Sequence, residues 1–434
     1  AEEWQRSLKI GGELWRLLEG HPGQVGAEHL CAATGDLGTF LRQFEGGAER
    51  LPWLAWLPEN DCATEVRARL EELREREPYS FVREVFLVQL GLRDGRLRAT
   101  LRAAENLRLE DAERPSLLVL KGLAELGLER MALARATFRS LKEVVPASAT
   151  AQLLVAMTYG RDDERQTQKT QLEEAFSIEP DHFATRLALA RLAAENGDFA
   201  DAEGHIGALV QIDPEDPSVV ELQALLALVR GDDAAAVSNL ERALEIAPNG
   251  VRALKLAIVH DRLGNGADAA ATLERWLSVH PTDVDVRLAL ANRYLSSDQV
   301  EEARSHYRKV RLLAPKNFVA LNNLAWTEVL LGNPKVALTP AQQAYRLAPD
   351  DPRVLDTYGY ALAEAGDLEK AVELLQRAVT RAPQDAQTQY HLAHALTKRG
   401  DREEAKGILE RILAEPTVFR GREDAKALLQ QLQG

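Results

Sequence analysis

Residues 183–216 read FATRLALARLAAENGDFADAEGHIGALVQIDPED, two apolar patterns separated by a glycine. The first pattern, which includes Ala190 and Ala193, has helical spacing. Gly197 then provides a left-handed stop, and Pro214 ends the second pattern because proline blocks the continuation of a helix. The stretch therefore predicts two helices joined by a short turn.

The proline that ends this stretch returns at intervals of 33 or 34 residues along the chain. The series is Pro146, Pro180, Pro214, Pro248, Pro281, Pro315, Pro349, Pro383 and Pro416. A constant period of this length is typical of stacked repeats, because one unit alone cannot cover its own apolar face. The series predicts an all-α solenoid of about ten helix–turn–helix units.

Small side chains recur where the two helices of a unit must cross closely. The first helices carry Gly122, Ala156, Ala190, Ala224, Ala291, Ala325, Gly359 and Ala393, and the second helices carry Ala134, Ala202, Ala236, Ala303, Ala337, Ala371 and Ala405. With the proline series, this pattern resembles the tetratricopeptide repeat family from Phe81 to Pro416. The resemblance implies a right-handed superhelix whose first helices line a concave binding surface.

The repeat pattern divides the chain into three parts. Residues 1–80 do not fit it and hold four of the six tryptophans, which predicts an irregular helical cap. Residues 81–416 predict the repeat superhelix. Residues 417–434, with Leu428 and Leu429 on one face, predict a C-terminal capping helix, which solenoids need for solubility.

Three units depart from the repeat. Gln168 stands where alanine is expected, which predicts looser packing in its unit. Trp276 takes the place of a smaller residue, and Pro340 falls in the middle of a second helix. Proline there predicts a kink or a break, because it removes a backbone hydrogen bond.

The composition argues against several classes of function. A net charge of -14 and a pI near 5.3 disfavour contact with nucleic-acid backbones or anionic lipid head groups. No apolar run approaches the roughly 20 residues of a membrane span. No signal peptide is visible, although the chain begins at Ala1, so a removed secretory or lipoprotein signal stays an alternative.

No catalytic motif of the zinc-protease, nucleophile-elbow or phosphate-loop type occurs in the sequence. We therefore expect no enzymatic activity, no cofactor and no metal. His391 and His394 lie three residues apart without an evident third ligand, so we expect one to pack in the core and the other to face the groove. Cys31 and Cys62 fit no zinc pattern; they either pair in an oxidising compartment or are two buried small residues.

In the resembled family, fixed positions of each first helix point into the concave groove. In the early units these positions are apolar: Val82, Val85, Leu92, Val119, Leu123, Leu126, Leu153, Met157 and Leu187. Leaving such a wall in water costs about 25 cal/mol per Å², so we expect something to cover it. Either the N-terminal segment folds back over the groove, or an apolar ligand such as a lipid or a hydrophobic helix binds there.

The later units carry polar and aromatic side chains at the same positions. They are Lys255, Arg262, Asn292, Asn322, Trp326, Asp356, Tyr360, Tyr390 and His394. Family members that clasp acidic peptide tails usually show lysine, arginine and asparagine on this surface. The later units therefore predict a polar surface for a protein partner.

The C-terminal third carries a narrower resemblance. The stretches NNLAWTEVLLGN (322–333), YRLAPDDPRVLDTYGYALAEAG (345–366) and YHLAHALTKRGDREEAKGILERIL (390–413) resemble the last repeats of bacterial envelope members of the family. Those proteins accompany exopolysaccharide export and PEP-CTERM protein-sorting systems. The resemblance implies a periplasmic location, with outer-membrane association through a removed signal or lipid anchor.

These features predict a non-enzymatic binding module of the cell envelope that serves an export or transport pathway. Its early groove would hold a lipid or another hydrophobic ligand, and its partners would be other envelope proteins. The alternative is a pure protein–protein scaffold that assembles a secretion machinery and binds no small molecule.

Overall fold

The structure, a computed structural model, describes residues 62–76, 81–93, 96–105, 115–160, 162–416 and 418–433. Within these ranges it contains 22 α-helices and no β-strand. The prediction of an all-α repeat protein is confirmed. Most of the predicted N-terminal cap, and the question whether Cys31 and Cys62 pair, lie outside the described residues. The chain divides into two compact units, unit 1 (residues 1–230) and unit 2 (residues 231–434).

Consecutive helices of unit 1 pack against each other as helical hairpins. They are α1 Cys62–Arg76, α2 Phe81–Arg93, α3 Leu97–Glu105, α4 Pro115–Gly127, α5 Met131–Val144, α6 Ala149–Met157, α7 Arg165–Ile178, α8 Phe183–Asn196, α9 Phe199–Ile212 and α10 Pro217–Arg230. Residues 183–216 form α8 and α9, and Gly197 joins the two helices with a φ of 82°. The predicted turn is therefore confirmed.

Unit 2 continues the same arrangement of paired helices. They are α11 Asp233–Ile246, α12 Gly250–Arg262, α13 Gly266–Val279, α14 Val284–Ser296, α15 Val300–Leu313, α16 Phe318–Leu330, α17 Pro334–Leu347, α18 Pro352–Ala365, α19 Leu368–Arg381, α20 Ala386–Arg399, α21 Arg402–Ala414 and α22 Arg422–Gln433. The first helices α16, α18 and α20 also contact one another directly. Their shared side is called the first-helix face below.

Side-chain caps and close crossings fix each hairpin, as α18 and α19 show. The backbone N–H of Arg353 donates to Oδ1 of Asp351 at 2.9 Å, which satisfies a donor that the helix itself leaves free. Where the two helices cross, a Cβ atom on Gly359 would lie 2.7 Å from Cγ of Leu375 and 3.2 Å from the Ala371 carbonyl oxygen. The small residues at the crossing positions are therefore a packing requirement.

The predicted break at Pro340 is wrong. Helix α17 runs from Pro334 to Leu347 with Pro340 inside it. Ala337, Ala341 and Ala344, on either side of the proline, are all buried in the core of unit 2. Burial on both sides holds the two turns in one helix, although proline lacks the N–H that the helix would normally use.

The last helix, α22, covers the end of unit 2. Ala425 is fully buried, and Leu428, Leu429 and Leu432 pack partly buried against the apolar core formed by the preceding hairpins. Its remaining side chains are largely charged or polar. The helix therefore gives the last repeat an apolar neighbour on one side and offers water a polar surface on the other.

Candidate functional site

Part of the predicted apolar wall is buried in the core of unit 1. Four of the nine predicted residues expose at most 9% of their surface: Val119, Leu123, Leu126 and Leu153. The first three pack in the cluster around Phe138, and Leu153 packs in the cluster around Leu172. The expectation of an open wall at these four positions is thus corrected. Helices α4 and α6 are apolar on nearly every side, and such helices are buried by their neighbours.

The other five predicted apolar residues differ in their placement. Leu92, Met157 and Leu187 are half-buried and pack against the apolar cores of unit 1. The side chains of Val82 and Val85 lie outside the described part of the chain.

An apolar cavity of about 180 Å³ opens between α6, α7 and α8. Three predicted residues line it, Leu153, Met157 and Leu187, together with Gln168, Leu172, Ala184, Ala188, Arg191, Leu192 and Glu195. Helix α6 is only nine residues long, and Gln168 replaces the usual small residue of α7. The cavity lies where Gln168 predicts loose packing. An engineered apolar cavity of about 150 Å³ in another protein binds benzene, so this one has room for one ring or short alkyl group.

The predicted polar surface of unit 2 separates into two groups. Lys255 and Arg262 lie on α12 and Asn292 on α14. The Oδ1 atom of Asn292 accepts hydrogen bonds from the Tyr307 hydroxyl at 2.7 Å and from Nδ2 of Asn323 at 3.0 Å. The remaining predicted residues lie on α16, α18 and α20: Asn322, Trp326, Asp356, Tyr360, Tyr390 and His394.

Five rings meet on the first-helix face: Trp326, Tyr360, Tyr390, His391 and His394, called the aromatic–imidazole cluster below. The Tyr360 ring stacks on His391 with centroids 4.1 Å apart, and it lies 6.0 Å from Trp326 and 5.5 Å from His394. These spacings are those of favourable aromatic pairs. Trp326, Tyr360 and His394 remain half-buried, so each retains a surface that a partner can contact.

Carboxylates orient both imidazoles of the cluster. Nδ1 of His391 lies 2.8 Å from Oδ1 of Asp356, and Nε2 of His394 lies 2.7 Å from Oε1 of Glu364, which also accepts from Nζ of Lys398 at 2.7 Å. The hydrogen bond with His394, aided by Lys398 and opposed by burial, lowers the pKa of Glu364 to about 2. Glu364 is therefore ionised at any physiological pH.

Both phenols of the cluster stay protonated at neutral pH. Burial, followed by the charges of Asp424 and Glu364, raises the pKa of Tyr390 to about 12. Burial also raises the pKa of Tyr360, with the neighbouring Tyr390 as the next cause. The hydroxyl groups are therefore hydrogen-bond donors toward anything that approaches this face.

Asn322 lies beside the cluster with an unsatisfied acceptor. The residue is 9% exposed, and its Oδ1 atom has no hydrogen-bond partner within the described part of the chain. Its Nδ2 group donates only at 3.4 Å, to Oδ1 of Asn323. A buried amide oxygen without a donor costs free energy.

Sequence reasoning found the rings of this site but not its internal pairing. Trp326, Tyr360 and His394 are spaced by 34 residues, so adjacent first helices place them in one column. His391 and Asp356 are 35 residues apart, one more than this spacing, and their side chains pair between α20 and α18. The expectation that one histidine of α20 packs and the other faces the groove agrees with their placement, since His391 is buried and His394 half-buried. Among described residues no group of three possible metal ligands occurs, and none of the described helices is long and apolar enough to cross a membrane.

The repeats of this chain match known family models. Models described as "Tetratricopeptide repeat" match residues 169–226, 227–293, 288–352 and 362–432, together more than half of the chain. The chain belongs to the tetratricopeptide repeat family. Repeats of this family bind protein partners, and the family is generally non-enzymatic. The chain is also similar to human tetratricopeptide repeat protein 6, with 22% identity over 175 residues, 40% of this chain. It spans about a third of the length of that curated relative.

The chain is also similar to three solved structures, at low identity and with TM-scores below 0.5. The hetero-tetramer Cut9–Hcn1 of APC/C matches with 12% identity and a TM-score of 0.41, covering 86% of this chain and 87% of that one. MamA from Desulfovibrio magneticus RS-1 matches with 21% identity and a TM-score of 0.34, over 37% of this chain and 92% of that one. YrrB, a TPR protein with an unusual peptide-binding site, matches with 20% identity and a TM-score of 0.36, over 41% and 93%.

Proposed function

We propose that this tetratricopeptide repeat protein is a binding scaffold that captures a peptide segment of a partner protein on the first-helix face of unit 2. The observation that carries the proposal is the aromatic–imidazole cluster, in which Trp326 and Tyr360 lie half-buried side by side on successive first helices. Half-buried tryptophan and tyrosine are the residues that most often dominate binding energy in protein interfaces.

The chemistry around the cluster favours a neutral or cationic peptide. Asp356, Glu364 and Asp424 surround the rings, and Lys398 is already paired with Glu364. Lys255 and Arg262, the cations of the predicted acidic-tail surface, lie on α12 instead of the cluster helices.

A peptide library displayed against the purified full chain tests this proposal. Peptides selected on the wild type should lose at least about tenfold in affinity for Trp326→Ala and Tyr360→Ala, as expected for hot-spot aromatics worth 1–2 kcal/mol or more. Leu312→Ala, at a residue 81% exposed on α15, serves as the matched control and should bind unchanged. Equal binding by all four proteins would refute the site.

A second candidate function rests on the cavity of unit 1. Its apolar lining by Leu153, Met157 and Leu187 suits a small hydrophobic ligand. A volume of about 180 Å³ is too small for a whole lipid, so only a terminal group of one would enter. Native mass spectrometry of the purified chain tests this: a bound lipid-like mass lost in Leu187→Glu supports it, and an unliganded protein argues against it.

The cellular setting forms a further part of the proposal. The resemblance of residues 322–333, 345–366 and 390–413 to envelope members of the family supports a scaffold in an export or protein-sorting machinery of the bacterial envelope. Fractionation of cells that express the complete gene product tests the location. Recovery with the periplasmic or outer-membrane fraction supports it, and recovery with cytoplasmic markers contradicts it.

A further inference from the structure

Phe419 and Gly421, which follow α21, both contact Tyr390 on the first-helix face of unit 2. Phe419 packs on Tyr390 with ring centroids 6.3 Å apart, and the Arg422 guanidinium lies 6.0 Å from the centroid of the Phe419 ring. Gly421 has a φ of 90°, and a Cβ atom there would lie only 2.9 Å from Cε1 of Tyr390. The backbone thus approaches the Tyr390 ring as closely as glycine permits.

Arg420, between Phe419 and Gly421, contacts a residue that lies far earlier in the chain. Its Nη2 atom lies 2.8 Å from Oδ1 of Asp298, which belongs to the turn between α14 and α15, 122 residues earlier. Asp298 is itself held at a φ of 61°, a left-handed conformation that only a few per cent of non-glycine residues adopt. The ion pair therefore ties the end of α21 to the turn of a hairpin three repeats away, and both partners remain largely exposed to water.

We propose that Phe419 and Arg420 are an internal ligand of the first-helix face, and that the partner peptide carries the same pair, an aromatic residue followed by arginine. This inference rests on the proposed function and names the partner of that site. Tyr390 links Phe419 to the aromatic–imidazole cluster, because its ring contacts Phe419 as well as His391 and His394. The aromatic side chain of the partner peptide would stack on Tyr390 in place of Phe419. The arginine that follows it in the peptide would form an ion pair with Asp298.

The Arg420–Asp298 ion pair is the weaker part of the internal contact, since Phe419 also packs against the apolar core of unit 2. An exposed ion pair contributes little to stability and is screened by salt, and Val418, next to Phe419, is 92% exposed. A partner peptide can bind only while the internal segment is away from the site. Its apparent affinity is therefore its intrinsic affinity multiplied by the fraction of molecules in which the site is free. The segment therefore lowers the apparent affinity of every partner for this site by the same factor.

Fluorescence anisotropy of a labelled heptapeptide with the sequence of residues 415–421, EPTVFRG, tests the proposal on the full chain. Arg420→Ala should bind it about two- to fivefold more tightly than the wild type, because the internal competitor is weakened. Arg346→Ala, at an exposed arginine of α17, is the matched control and should bind as the wild type does. A scrambled peptide of equal charge should bind none of them measurably.

A charge swap separates this contact from general electrostatic attraction to an acidic chain. Asp298→Arg should lose EPTVFRG and gain binding to EPTVFDG, and adding Arg420→Asp should weaken that gain by restoring the internal pair. Equal affinities of wild type and Arg420→Ala, or an unchanged preference in Asp298→Arg, would overturn the proposal. If library peptides still depend on Trp326 in that case, the internal-ligand proposal fails alone; if none does, the proposed function fails with it.

Discussion

Nδ1 of His391 lies 2.8 Å from Oδ1 and 3.0 Å from Oδ2 of Asp356, and both residues are buried, with 2% and 9% of their surface exposed. The pair connects α18 to α20 beneath the Tyr360 ring, which stacks on the same imidazole. Because it sets the position of His391, the pair also positions the rings on which the proposed peptide site depends.

Removal of one partner should cost more than removal of both. His391→Ala leaves the Asp356 carboxylate buried without its partner, and we expect a loss of about 3 kcal/mol in the free energy of unfolding. Asp356→Ala is the other single variant, and His391→Ala combined with Asp356→Ala should lose less than His391→Ala alone, and so less than the sum of the two single effects. Urea denaturation followed by circular dichroism measures all three. Strict additivity of the two single effects would contradict a buried coupled pair.

Protonation of Glu364 gives a second prediction. Its pKa is lowered to about 2 in the folded chain, against 4.5 for the free group. A carboxylate with a depressed pKa stabilises the fold above its unfolded pKa, and that contribution is lost as the pH falls toward the folded pKa. Glu364→Gln should therefore be less stable than the wild type at pH 6, by on the order of 1–3 kcal/mol. The difference should shrink steadily between pH 5 and 2.

Thermal melting at several pH values measures this difference. Glu369→Gln, at an exposed glutamate in the first turn of α19, is the matched control and should follow the wild-type curve. A constant gap between Glu364→Gln and wild type over the whole pH range would show that Glu364 acts through packing instead of charge.

The sequence was sufficient to place the aromatic rings of the site, because the repeat period converts spacing into position. Trp326, Tyr360 and His394 follow one another at 34 residues, and adjacent first helices bring them together. The sequence could not show which apolar residues are buried and which face the groove, because a helix such as α4 has apolar side chains on nearly every side. Leu126 is buried against the core of unit 1, while Leu187 lines a cavity, and hydropathy alone does not distinguish the two.

Departures from the repeat were visible in the sequence, but their consequences depended on contacts that it does not show. Trp276 is accommodated because its Nε1 atom donates to Oδ2 of Asp283 at 2.7 Å and its ring stacks on His280. Pro340 leaves its helix continuous because burial on both sides outweighs one lost hydrogen bond. In both places tertiary packing decided the outcome against a local rule.

Two glycines of unit 2 should respond to the same substitution with opposite signs. Gly359→Ala places a methyl group 2.7 Å from Cγ of Leu375, and we expect a loss of about 1–3 kcal/mol from overpacking. Gly407, inside α21, has nothing within 4 Å of its Cβ position. Gly407→Ala should stabilise by about 0.5–1 kcal/mol, because alanine loses less backbone freedom in a helix. Urea denaturation of both variants checks the signs, and a stabilising Gly359→Ala would show that the crossing has room to spare.

The cavity between α6, α7 and α8 gives the last prediction. Ala188→Leu adds three carbon atoms to its lining, so it should fill part of the 180 Å³ and abolish thermal stabilisation by a small apolar probe such as benzene. Leu172→Ala enlarges the cavity, and we expect it to cost about 3–5 kcal/mol while it strengthens probe binding. Ala236→Gly, in a buried crossing position of unit 2, should lose stability without changing the response to the probe. If benzene raised the melting temperature of Ala188→Leu as much as that of the wild type, the probe would bind elsewhere, and the cavity would have no part in ligand binding.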